Sequence, residues 1–122
     1  METEKYAARL LRAIGMSPKY KGYAYILYIL TLAIEDTSLT HNISSQLYSL
    51  VCDKYHVHSH IVERNIRFAI KRTWEAQNSA KMHQLFQIYG IDYVPTNREF
   101  ICIMTDCAAH KSFPAPTQLR MW

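Results

Sequence analysis

Apolar positions recur along this chain at intervals of three and four residues, and strict alternation is scarce, so the pattern predicts helices rather than strands. A first helix is expected from about Thr3 to Ile14, with Tyr6, Leu10, Leu11 and Ile14 on its apolar face and Gly15 as its stop. Ser17-Pro18 is read as the start of a second, longer helix ending near Glu35-Asp36. That helix is apolar almost all round from Tyr23 to Ile34, which predicts a central buried position. Its tyrosines, Tyr20, Tyr23, Tyr25 and Tyr28, are expected to pack and to hydrogen-bond at their tips rather than to stack on bases. Asp36 to Asn42 reads as a polar loop. From about Ser44 to Tyr55, Leu47, Leu50, Val51 and Tyr55 recur at helical spacing, with Ser44 or Ser45 as the cap. A short helix from about Ala80 to Ile88 turns Met82, Leu85, Phe86 and Tyr89 to the core and ends at Gly90. Ile91 to Val94 is a loop or a brief extended piece. Thr96 and Glu99 have the spacing of a capping box in front of a last helix reaching about His110, with Phe100, Ile103, Met104 and Cys107 inward.

The stretch from Ser59 to Trp74 separates its residues most sharply. Val62, Ile66, Ala69, Ile70 and Thr73 fall on one helical face. His60, Arg64, Arg67 and Lys71 are spaced four, three and four apart and line the nearly opposite face. Ser59 is read as the residue that caps this helix. The link His56-Val57-His58 is short enough to force a sharp turn after the preceding helix. Two capped amphipathic helices joined this tightly, the second basic outside, point to a helix-turn-helix with its second helix in the major groove of DNA. An ordinary helical corner with a solvated charged face is the plain alternative.

The whole chain agrees with this. Its 122 residues fit one domain with a real core, and 49% apolar against 20% charged residues excludes a disordered chain. The expected architecture is all-α: a compact bundle of about six helices over residues 1–111, followed by a flexible, proline-punctuated tail over 112–122. A net charge of +4 suits a polyanionic partner without identifying one. Cys52, Cys102 and Cys107 are odd in number and form no C-x-x-C pair, so they read as small apolar residues of a reducing compartment. The first ten residues carry charges of both signs, so no signal peptide is expected. The apolar run from Tyr23 to Ile34 is shorter than the roughly 20 residues of a membrane span. The expected location is the cytoplasm.

Four segments in colinear order then resemble one family. Lys21-Gly-Tyr-Ala-Tyr25 is similar to its K-G-Y-x-Y, and Ile43 through Tyr55 to its I-x-x-x-L-Y-x-x-[IV]-[AC]-x-K-Y helix. Val62-Glu-Arg-Asn-Ile-Arg67 resembles its V-E-R-x-I-R recognition helix, and Pro95-Thr-Asn-Arg-Glu-Phe100 its P-T-N-x-E-F. The family is the C-terminal DNA-binding effector domain of the stage-zero sporulation master regulator of endospore-forming Firmicutes, and the resemblance covers roughly Tyr6 to His110. It implies a six-helix fold and binding to a short G·C-containing promoter box of double-stranded DNA, often as a head-to-tail homodimer. RNA polymerase or a full-length regulator are further candidate partners. The family's regulator usually carries an N-terminal receiver domain; with the chain starting at the effector domain, no phosphorylation switch is expected here.

The candidate DNA-binding residues are Ser59, His60, Ile61, Glu63, Arg64, Arg67, Phe68 and Lys71. Three departures from the family stand out. It generally has Arg where this chain has Ile61, His where it has Phe68, and Lys where it has Cys107; the first two positions face DNA in the family. Ile61 and Phe68 either contact thymine methyls or form a small patch for a protein partner. The favoured function is a sequence-selective transcription regulator; the alternative, which the departures at Ile61, Phe68 and Cys107 favour, is a module that modulates a full-length regulator without binding DNA tightly. No metal set is expected from His56, His58 and His60, because helix-turn geometry separates their rings and no nearby cysteine or carboxylate completes a site. No glycine-rich phosphate loop or nucleophile elbow is present, so neither a cofactor nor an enzymatic activity is expected.

Overall fold

The computed structural model describes residues 2–109, and every regular element among them is helical. The α-helices are α1 (Glu2–Ala13), α2 (Lys21–Glu35), α3 (Tyr48–Tyr55), α4 (Ser59–Glu75), α5 (Ala80–Ile88) and α6 (Asn97–Ala109). The expected tail from Ser112 to Trp122, and His110 before it, lie outside the described residues.

Gly15 ends α1 as expected. At φ 89° it donates to the Arg12 carbonyl at 3.0 Å, and Met16 donates to the Leu11 carbonyl at 3.0 Å. These bonds satisfy carbonyls the helix leaves open, and they need a left-handed residue between them. Ser17-Pro18 does not start α2. The Ser17 hydroxyl instead accepts from the Lys19 N–H at 3.2 Å, closing a local turn, and α2 begins at Lys21.

The central position predicted for α2 is found: it packs against α4, α1, α6 and α3. Gly22, Ile26, Ile29, Leu30 and Ala33 are buried along it. Gly22 sets its closest approach. A Cβ there would stand 2.2 Å from the Asn65 carbonyl oxygen, so the backbones of α2 and α4 touch at this point. The tyrosines of α2 are half-buried, and Tyr25 and Tyr28 engage rings, with no hydrogen bond at either hydroxyl tip among the described residues. Tyr25 and Tyr28 meet Tyr55 edge-on at 5.1 and 6.3 Å, and the Lys54 ammonium lies 5.0 Å from the Tyr28 ring centre.

The link between α2 and α3 departs from the sequence reading. Thr37–Asn42 is a 3-10 stretch rather than a loop, started by Asp36, whose carboxylate accepts from the Ser38 N–H at 3.2 Å and hydroxyl at 2.6 Å. Ile43–Leu47 is a π turn running into α3, and neither Ser44 nor Ser45 caps it. The wider turn rotates the apolar stripe, so Ile43, Leu47, Tyr48 and Val51 face inward while Leu50 is exposed.

The far side of the core is aromatic. Phe86 of α5 stacks on Phe100 of α6 at 5.7 Å, and Trp74 at the end of α4 lies face to face with His83 at 3.7 Å. His83 Nε2 donates to the Trp74 carbonyl at 2.9 Å, which pins α5 to the end of α4. Tyr89, expected in the core, sits at the turn after α5 with 37% of its surface exposed. Ile91 to Val94 forms no strand. Before α6 the capping box is made: Thr96 Oγ1 accepts from the Glu99 N–H at 3.1 Å, and Glu99 Oε1 accepts from the Thr96 N–H at 2.9 Å.

Candidate nucleic-acid interface

The reversal between α3 and α4 takes three residues. His56 adopts the left-handed conformation at φ 56° and ψ 50°, and its N–H donates to the Cys52 carbonyl at 2.8 Å. A side chain in this conformation costs roughly 1–2 kcal/mol, so glycine or asparagine is the usual choice. His58 is extended, and its carbonyl accepts from Ile61 at 3.0 Å and Val62 at 3.2 Å, opening α4.

Ser59 is therefore the first helical residue and not the cap. His58 holds the cap position and makes no side-chain cap bond. A serine with helical backbone angles no longer aims its hydroxyl at the next N–H groups. The first N–H groups of α4 therefore receive no side-chain cap from His58, and the open N-terminal end of a helix favours an anion.

α4 separates its two faces as its sequence predicts. Val62, Ile66, Ala69, Ile70 and Thr73 are buried, and the buried Thr73 hydroxyl is satisfied by the Ala69 carbonyl at 2.7 Å. Ser59, His60, Arg64, Arg67 and Lys71 are exposed. Glu63 and Arg67, one turn apart, form an ion pair that holds the guanidinium along the helix. An exposed pair of this kind contributes at most about 1 kcal/mol, so it orients Arg67 without locking it. Ile61 is half-buried. Phe68 is 52% exposed and stands edge-on against Tyr20 at 6.2 Å, with the Arg72 guanidinium 5.7 Å from its ring centre.

A surface cleft of about 730 Å³ runs beside α4. Glu63, Arg67 and Lys71 line one wall, and Asn97 and Arg98, from the first turn of α6, line the other. Asn97 ties the walls together: its Nδ2 donates to the Glu63 carbonyl at 2.9 Å and to the Tyr48 hydroxyl at 3.0 Å. Burial pushes the Tyr48 phenol above its ordinary range, which keeps the hydroxyl neutral in this contact. Sequence reasoning missed Asn97, Gly22 and Tyr20. The first two sit in the quoted motifs, but their roles are contacts between helices distant in the chain.

Two of the family departures reach the surface of α4 and the third does not. Cys107 is buried, its Sγ is 3.3 Å from the Tyr89 hydroxyl, and burial pushes its thiol up. His58 and His60 bring their rings together at 5.7 Å, and among the described residues no group of three or more His, Cys, Asp or Glu is placed to hold a metal. No helix among the described residues is long and apolar enough to cross a membrane.

The match to known families covers the same elements. The model of the family described as sporulation initiation factor Spo0A, C terminal, matches residues 7–107, from within α1 to near the end of α6. The whole α3-turn-α4 unit lies inside that span. The family is one of helical DNA-binding regulatory domains, the effector part of a response regulator, and not a family of enzymes. The chain belongs to the family of Spo0A C-terminal domains, the DNA-binding effectors of sporulation initiation.

Proposed function

We propose that the chain is a sequence-selective transcription regulator that places α4 in the major groove of a short G·C-containing box. One observation carries this reading. A single helix, entered through a three-residue reversal, buries its apolar stripe completely and leaves Arg64, Arg67 and Lys71 in solvent. That is the arrangement a groove-reading helix requires.

Arg64 and Arg67 are assigned to guanine, where a guanidinium can donate to O6 and N7 together. Glu63 steers Arg67 and can itself accept from a cytosine amino group. Lys71 meets phosphate. Ser59 and His60, in the first turn, meet the backbone with the positive end of α4 behind them. Ile61 and Phe68 meet thymine methyls. A head-to-tail homodimer on paired boxes, acting on RNA polymerase in the cytoplasm, is the assembly that the family resemblance supports. The described domain carries the DNA contacts.

The exposed Phe68, braced by Tyr20, supports a second reading in which this flank docks a full-length regulator. An electrophoretic shift series with the box, a scrambled duplex and a salt titration separates the two. Salt-sensitive binding that prefers the box supports the regulator. Capture of the full-length regulator, with no shift of either duplex at low salt, supports the docking module.

A further inference from the structure

The contacts assigned above all come from α4 and leave Arg98 unused. It projects from the first turn of α6 into the cleft that Arg67 and Lys71 line from the other side. Arg98 is exposed and makes no ion pair among the described residues. The acid next to it in sequence does not neutralise it by contact. Glu99 is turned back onto the Thr96 N–H at 2.9 Å and accepts from the Tyr93 hydroxyl at 2.8 Å. The one carboxylate lining the cleft, Glu63, is engaged by Arg67. The backbone that carries Arg98 is held relative to α4. Its neighbour Asn97, only 8% exposed, is bonded to the Glu63 carbonyl and to the Tyr48 hydroxyl.

A cleft with cations on both walls and no free carboxylate recognises an acidic group that only accepts hydrogen bonds. A helix lying in the major groove has a sugar-phosphate strand on each side. We propose that this cleft seats the DNA backbone of one strand beside the box, with Arg98 and Lys71 holding phosphates from opposite walls. This rests on the reading of α4 as the groove helix. Phosphate contacts position a protein without reading bases, so Arg98 sets register and affinity and leaves sequence preference alone.

Anisotropy titrations of the full chain with the box and with a scrambled duplex, over a range of salt, test this. Arg98→Ala is expected to weaken both duplexes by the same factor, roughly fivefold to tenfold, between an exposed ion pair and a charge-assisted hydrogen bond. It should lower the salt slope by about one, and Arg98→Lys should restore the slope. Arg98 is exposed, and an unchanged circular dichroism spectrum and melting curve would confirm that the variants fold. Unchanged affinity and slope in Arg98→Ala, with Lys71→Ala still weakened, would overturn the backbone seat and leave the reading of α4 intact. A change in the ratio between the two duplexes would also overturn it, because Arg98 would then be reading bases. If the unmodified chain bound neither duplex at low salt, the reading of α4 would fall and the seat with it.

Discussion

Arg64 and Lys71 share one exposed stripe but are assigned different tasks. Arg64→Ala should relax base preference, since one bidentate arginine–guanine contact discriminates by ~1–3 kcal/mol. Lys71→Ala should weaken every duplex alike and lower the salt slope by about one. Binding titrations with the box and its guanine-substituted versions distinguish them; identical behaviour of the two variants would remove the distinction between reader and anchor. The stripe was legible because helical periodicity alone assigns residues to faces. Ser59 was misplaced by one position because a capping serine and a first-turn serine look alike in sequence, and only the extended backbone of His58 separates them. Asn97 was not legible at all. Its hydrogen bonds join α6 to α3 and α4, and such long-range polar contacts leave no periodic trace.

Among elements, α2 fixes the position of α4. Gly22→Ala would drive a Cβ into the Asn65 carbonyl, and backbone cannot yield as a flexible side chain does. The expected loss is at least the ~1–3 kcal/mol of ordinary overpacking, read as a lower urea midpoint. DNA affinity should fall further than that of a surface variant of equal stability, because α4 is displaced. Ile66→Ala, at the centre of the buried face, should cost ~2–5 kcal/mol in the same assay. A loss under 0.5 kcal/mol would mean that this face is not packed. The elements with regular periodicity and conventional ends, α1, α5 and α6, were readable to within a residue or two. The ones that escaped have unconventional ends. A serine-closed turn delays α2, a 3-10 stretch fills the expected loop, and a π turn rotates the start of the next helix. The left-handed His56 escaped for the same reason, since nothing in a histidine announces that conformation.

At the scale of the molecule, basic charge and the departures at Ile61 and Phe68 act together. The net charge of +4 and the exposed stripe supply sequence-independent attraction, so affinity should be moderate and salt-sensitive. The resemblance implies polar readers at the positions of Ile61 and Phe68, which are apolar here, so preference for the family's own box should be weak. Ile61→Arg combined with Phe68→His is expected to sharpen that preference in competition binding, and an unchanged ratio between box and scrambled duplex would contradict it. Cys107, by contrast, is buried with its Sγ 3.3 Å from the Tyr89 hydroxyl, away from the exposed stripe. All of this depends on which groove α4 enters, and dimethyl sulfate protection on the bound box measures that directly. The reagent methylates guanine N7 in the major groove and adenine N3 in the minor groove. With α4 in the major groove, guanine N7 positions within the box should be protected while adenine N3 reactivity stays as in free DNA. Protection of adenine N3 alone, or unprotected guanines at concentrations where the duplex is fully bound, would contradict the account.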